Sequence, residues 1–201
     1  MKNRDNHFKS KLKSRFRIFI VLLFFGLFFS CSKKIYQKAD YTFYNKTFKL
    51  NASSALRTDG VYVLDHIWTD ENGGTTKPPK EHRFYKFYKT GQSNLTLDPS
   101  NEIKTKEHYI ETLNSDFSIK NKTLFEGYYK LAKNKIIIQS VVVPRQQFEY
   151  KYGYFEKDTL IIVKSTTDGK GKFDDQYFTE TYKEYYVFMP LDIKNEKDPQ
   201  W

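Results

Sequence analysis

Few residues in this chain have chemistry to offer, and one of them stands apart by its position. Cys31 is the only cysteine among 201 residues, so no disulfide forms within the chain. It follows an uncharged stretch, residues 18–30, and precedes the polar Ser32-Lys33-Lys34. The four histidines, His7, His66, His82 and His108, are far apart, and none forms the paired spacing of a metal site. Asp168-Gly169-Lys170-Gly171-Lys172-Phe173-Asp174-Asp175 has the look of a calcium loop. It lacks the alternating acidic ligands and the terminal Glu, and lysines stand between, so it reads as a turn. There is no Gly-x-Ser-x-Gly elbow and no phosphate loop. The expectation is therefore no catalytic residue, no metal, no cofactor and no enzyme.

The surroundings of Cys31 give it a role. Seven basic residues, Lys2 to Arg17, precede the 13 uncharged ones. A membrane-spanning helix needs about 20 apolar residues, and this run falls short. A basic segment, a short apolar core and a small residue at the cut make a secretory signal peptide over residues 1–30. Phe28-Phe29-Ser30-Cys31 resembles the lipobox of bacterial lipoproteins. That resemblance implies cleavage after Ser30, lipid on the Cys31 thiol and export from the cytoplasm. It places the chain in the cell envelope, on the periplasmic side or at the outer membrane, with the membrane as partner. Two or more acyl chains anchor a protein stably. The alternative is an uncut N-terminal anchor helix with Cys31 inside it.

After the cut, 171 residues remain, enough for a core in one domain without disulfides. They carry 27 basic and 23 acidic residues, a balance that argues against nucleic acid as partner. Asn45-Lys46-Thr47, Asn94-Leu95-Thr96 and Asn121-Lys122-Thr123 match the glycosylation sequon and read as accidental. Asp158-Thr159-Leu160 resembles an O-glycosylation pattern of some envelope bacteria; its plainer reading is a strand beginning after a turn.

The elements that hold these residues read as strands. Aromatics make up 18 % of the chain, and no segment after residue 30 keeps a long 3.6-residue rhythm. Strand-like runs begin at Gly60, Arg83, Phe125, Lys135, Gln147, Thr159 and Tyr177, with a short partner strand at Asn94-Leu95-Thr96-Leu97. Lys133-Asn134 is a two-residue hairpin connection. Ile136-Ile137-Ile138 lacks alternation, as in a strand covered on both faces. Residues 102–114 form a short helix or a loop, capped by Ser100 or Asn101, with Ile103, Tyr109, Ile110 and Leu113 facing one way. The fold class is all-β: an antiparallel meander closing into a barrel or a strongly curved sheet. The expected order is signal peptide 1–30, lipid-anchored tether 31–56, barrel 57–190 and polar tail 191–201.

Leu56-Arg57-Thr58-Asp59-Gly60-Val61-Tyr62, with Gly127-Tyr128-Tyr129-Lys130 and Tyr152-Gly153-Tyr154-Phe155, resembles the lipocalin-like domains of bacterial envelope lipoproteins. The resemblance implies a meander barrel over residues 57–190. Tyr150, Tyr152 and Tyr154 alternate with Glu149, Lys151 and Gly153. Side chains two apart share a face, and charges are costly to bury, so the tyrosines are expected inside, lining a site for a small apolar ligand. A barrel with a filled core would instead use outward Tyr and Trp, around Trp68 for instance, to bind or inhibit an envelope protein.

Overall fold

The computed structural model describes residues 36–115, 126–142, 147–194 and 198–199. Cys31 and the signal segment lie outside the described residues. Among the described residues, nine strands occur in the order β1 (Gly60–Thr69), β2 (Thr75–Lys77), β3 (His82–Phe87), β4 (Gln92–Asp98), β5 (Glu126–Ala132), β6 (Lys135–Val142), β7 (Gln147–Glu156), β8 (Thr159–Thr166) and β9 (Tyr182–Pro190). One helix, α1 (Lys106–Asn114), lies between β4 and β5.

Every pairing is antiparallel, and β3 to β9 follow one another as neighbours. β1 then pairs with β3 on one edge and with β9 along its whole length on the other, from Gly60↔Pro190 to Thr69↔Tyr182. The result is a closed barrel of eight strands, which leaves no long edge open to other chains. β2 is a three-residue addition to the far end of β1. The tight hairpins β5–β6 and β7–β8 turn on Lys133 and Lys157, both with positive φ. Gly60 sits in the β1–β9 seam, where a Cβ would lie 2.1 Å from the Met189 carbonyl oxygen.

The barrel has two ends. Tyr62, Tyr85, Phe87, Tyr129, Ile136, Ile138, Phe155, Leu160, Tyr186 and Phe188 pack inside the end where β1 begins, the base. Rings meet there across the barrel and along its wall: Tyr62 of β1 lies 5.8 Å from Phe155 of β7 and 5.7 Å from Phe87 of the neighbouring β3. Phe48, Leu50 and Leu56 pack against this core from the chain before β1. The opposite end, where β1 and β8 finish, is the mouth.

Two outer faces are covered. Val61 and Phe84 pack with Tyr109 and Leu113 of α1 and with Leu191. Tyr128, Ile137, Tyr150 and Tyr152 pack with Tyr41, Phe43, Phe173, Tyr177 and Phe178. β6 is thus covered on both sides, as its unbroken isoleucines predict, and all three are buried.

Three expectations change. Tyr150, Tyr152 and Tyr154 face outward: Gly153 and Phe155 pair with the inward Ile162 and Leu160, and Lys151 pairs with inward Ile138. Tyr152 is fully buried even so, because segments distant in sequence cover it; Tyr177 stacks on it at 4.7 Å. Residues 41–56, expected within the tether, dock on the barrel, since their aromatics have apolar surface to cover; the buried Gln139 amide accepts from the Phe43 N–H at 3.0 Å. The polar tail also begins docked, through Leu191 and Ile193.

The α1 helix starts later than expected. Thr105 is its cap, accepting from the His108 N–H. The carboxylate of Asp98 instead receives the N–H groups of Glu102 and Ile103, which makes a turn of residues 98–103. Tyr109, Ile110, Leu113 and Ile103 do share the packed face.

Candidate site at the barrel mouth

Period two carries the inward face from the base toward the mouth, and there it turns polar. β3 brings Arg83 in line with Tyr85 and Phe87. β9 brings Tyr182 and Glu184 in line with Tyr186 and Phe188. β7 brings Glu149 and Lys151 in line with Phe155, and the Lys151↔Ser165 pair puts Ser165 beside them. A bulge at Asp65 in β1 keeps Ile67 on the inward side, and Thr69 follows it.

Glu184 is the hub. The Arg83 Nη2 donates to its Oε1 at 2.6 Å. The Tyr182 hydroxyl donates to the same oxygen at 2.6 Å, and the Tyr186 hydroxyl to Oε2 at 2.7 Å. Beside it, the Ser165 hydroxyl donates to Glu149 at 2.6 Å, with Lys151 Nζ 3.7 Å from the other oxygen of that carboxylate. Lys151 also lies 5.8 Å from the centre of the Tyr85 ring. Burial works against the Lys151 charge, but Tyr85 and Glu149 outweigh it and its pKa is raised. Burial likewise opposes the Arg83 charge, and Tyr186 and Glu184 outweigh it. Both cations therefore stay charged at neutral pH. Burial raises the Tyr85 and Tyr186 hydroxyls, so both remain protonated donors.

Three polar atoms of the inward face are buried without a hydrogen-bond partner: Arg83 Nε, the Thr69 hydroxyl and the Tyr85 hydroxyl, which has the Lys151 ammonium beside it. A buried, unpaired polar group costs about 1–3 kcal/mol. The mouth also reaches solvent. Leu97, paired with Arg83 on the inward face of β4, is 36 % exposed, and the Glu149 side chain is 26 % exposed.

A second polar cluster lies outside the wall, under α1. His82 Nδ1 meets Asp98 at 3.0 Å, and its Nε2 meets the Tyr109 hydroxyl at 2.7 Å. Burial raises the Tyr109 hydroxyl to about 12, and Asp98 adds to this. Asp98 is 4 % exposed and accepts from Glu102, Ile103 and Ser100 as well. With Tyr109 buried under Phe84, this is a clamp that fixes α1 to the barrel. Burial opposes the Asp98 charge, but these donors outweigh it and hold its pKa below the ordinary carboxylate value. A depressed folded value contributes stability above the unfolded pKa of about 4, lost as pH falls through the folded value. Asp98→Asn should thus cost about 2 kcal/mol at pH 7 and flatten the acid limb of a stability–pH curve. An unchanged acid limb would contradict the clamp.

Comparison with family models, with curated proteins and with solved structures finds no match.

Of the residues expected to line a ligand site, Tyr150 and Tyr152 are sealed in the outer cluster and Tyr154 stands on the outer wall. His66 stacks on Tyr185 at 4.2 Å and meets Asp65 at 2.7 Å. Thr159 is the first residue of β8 and pairs with Val187. Arg83, Lys151 and Glu184 escaped notice because 101 residues separate Arg83 from Glu184. One signal was present: in β3, β7 and β9 a charged residue stands two places from another charge or a tyrosine, hence on one face with it.

Proposed function

We propose that the chain is a lipoprotein of the bacterial cell envelope, anchored through lipid on Cys31, whose barrel binds a small ligand at its mouth. It acts as a binding module, not as an enzyme. One observation carries the reading: inward side chains are sealed at the base but reach solvent at the mouth, Leu97 and Glu149 among them. An eight-stranded barrel has room for one small ligand or for its own side chains. Here rings fill the base, which points to the mouth for a ligand held inside the barrel. Its walls are mixed, with Leu97 and Ile67 beside Arg83 and Lys151, which suits a ligand with an apolar body and a polar head.

A second reading has its own support. Tyr154, Ile161, Tyr185 and His66 are successive cross-strand partners in one row over the outer wall of β7, β8, β9 and β1. Val187, 44 % exposed, stands beside that row. Such a face fits an envelope protein as partner.

Two measurements on the full chain test the proposal. An alkyne fatty acid should label the chain in cells, and Cys31→Ala should abolish the labelling. Native mass spectrometry of the membrane-extracted chain should show a small-molecule adduct beyond the lipid. Equal labelling of the variant overturns the anchor; an adduct-free chain overturns the binding role.

A further inference from the structure

We infer that the mouth recognises its ligand by an oxyanion, a carboxylate or phosphate, held by Arg83 and Lys151. This rests on the binding role proposed above and names the chemistry of the ligand's head.

On the inward face, donors outnumber the acceptors open to them. The acceptors are engaged: Glu184 takes three donors, and Glu149 takes Ser165 and Lys151. What remains is donors. Arg83 Nε and the Thr69 hydroxyl are buried with no partner. Lys151 spends one N–H on a long 3.7 Å contact to Glu149 and has the Tyr85 hydroxyl beside it. The Tyr85 side chain is itself only 2 % exposed, its hydroxyl aimed into the same cluster.

A ligand cation would meet two carboxylates already engaged and two cations close by. A neutral hydroxyl would satisfy a donor, but a bond from guanidinium or ammonium to an anion is shorter and about twice as strong. The four charges, Arg83, Lys151, Glu149 and Glu184, sum to zero, so the cluster itself presents no net repulsion to an incoming anion. Glu184 engages the guanidinium through Nη2, and the adjoining Nε–H, with no partner of its own, is the donor that an oxyanion would meet beside Lys151.

Binding of four probes that share a six-carbon chain tests the inference: hexanoate, hexyl phosphate, hexylammonium and hexanol, with inorganic phosphate as a tail-free fifth. The full chain in detergent is titrated by calorimetry. Hexanoate or hexyl phosphate should bind at least about tenfold tighter than hexylammonium and hexanol, since a hydrogen bond to a charged group is worth a decade or more in affinity. Arg83→Met should remove that preference, and Arg83→Lys should keep part of it. Inorganic phosphate binding as tightly as hexyl phosphate makes the source a free anion; a tighter hexyl phosphate makes it an amphipathic molecule. Equal binding of all four tailed probes overturns the oxyanion and leaves the binding role standing. No binding of either tailed anion at millimolar concentration overturns it as well, and an adduct in native mass spectrometry then keeps the binding role separate. Should Arg83→Met fail to fold, the selectivity of the unaltered chain still decides.

Discussion

Lys151→Glu should destabilise the barrel by about 3–5 kcal/mol in chemical denaturation, whereas Lys77→Glu on the exposed β2 should change it by less than about 0.5 kcal/mol. Lys151 points into the mouth, where its side chain is 18 % exposed and faces Glu149 and the Tyr85 hydroxyl. The substitution removes the cation that balances Glu149. It also sets a third carboxylate in a space that already holds Glu149 and Glu184. Like charges with little water between them repel strongly, and a lone buried charge is costly. Were Lys151 on the solvent side, as its alternation with three tyrosines suggests, the two substitutions would behave alike.

The second large effect is at the seam. Gly60→Val should cost about 3 kcal/mol or more. A Cβ at residue 60 would lie 2.1 Å from the Met189 carbonyl oxygen and 2.7 Å from the Phe188 ring. The carbonyl belongs to the β9 backbone, so that clash is not relieved by a rotamer change. The strands must part where Gly60 meets Pro190, and that pairing is what turns a curved sheet into a barrel. An unchanged denaturation midpoint would mean that β1 and β9 do not close.

Much of the architecture was legible in the chain. β5 to β9 stand close to where Tyr- and Ile-rich runs and short turns put them, and Lys133-Asn134 is the hairpin it looks like. β2 was not legible: three residues paired to the end of β1 have no periodicity to show. β9 begins at Tyr182, not Tyr177, because Tyr177 and Phe178 leave the sheet line to cover Tyr152. That covering also explains the reversed face of β7. Alternation says that two faces differ; it does not say which one is inside. In β7 the wet-looking residues are neutralised across the barrel mouth, while Tyr150 and Tyr152 are sealed from outside by residues 41–43 and 173–178. The site followed the same rule. Arg83 and Tyr85 share a face by period two alone, but only the closure of the sheet brings Glu184 to them.

Entry of a ligand into the mouth is best followed by nuclear magnetic resonance of the full chain in detergent micelles. The arginine Nε–H signal of Arg83 and the amides of Thr69, Lys151 and Leu97 are followed while small-molecule extract from the producing cells is added. These four signals should shift together, while those of His66, Tyr154 and Tyr185 on the outer wall stay in place. Shifts confined to the outer row, with Arg83 Nε–H unmoved, would contradict entry into the mouth.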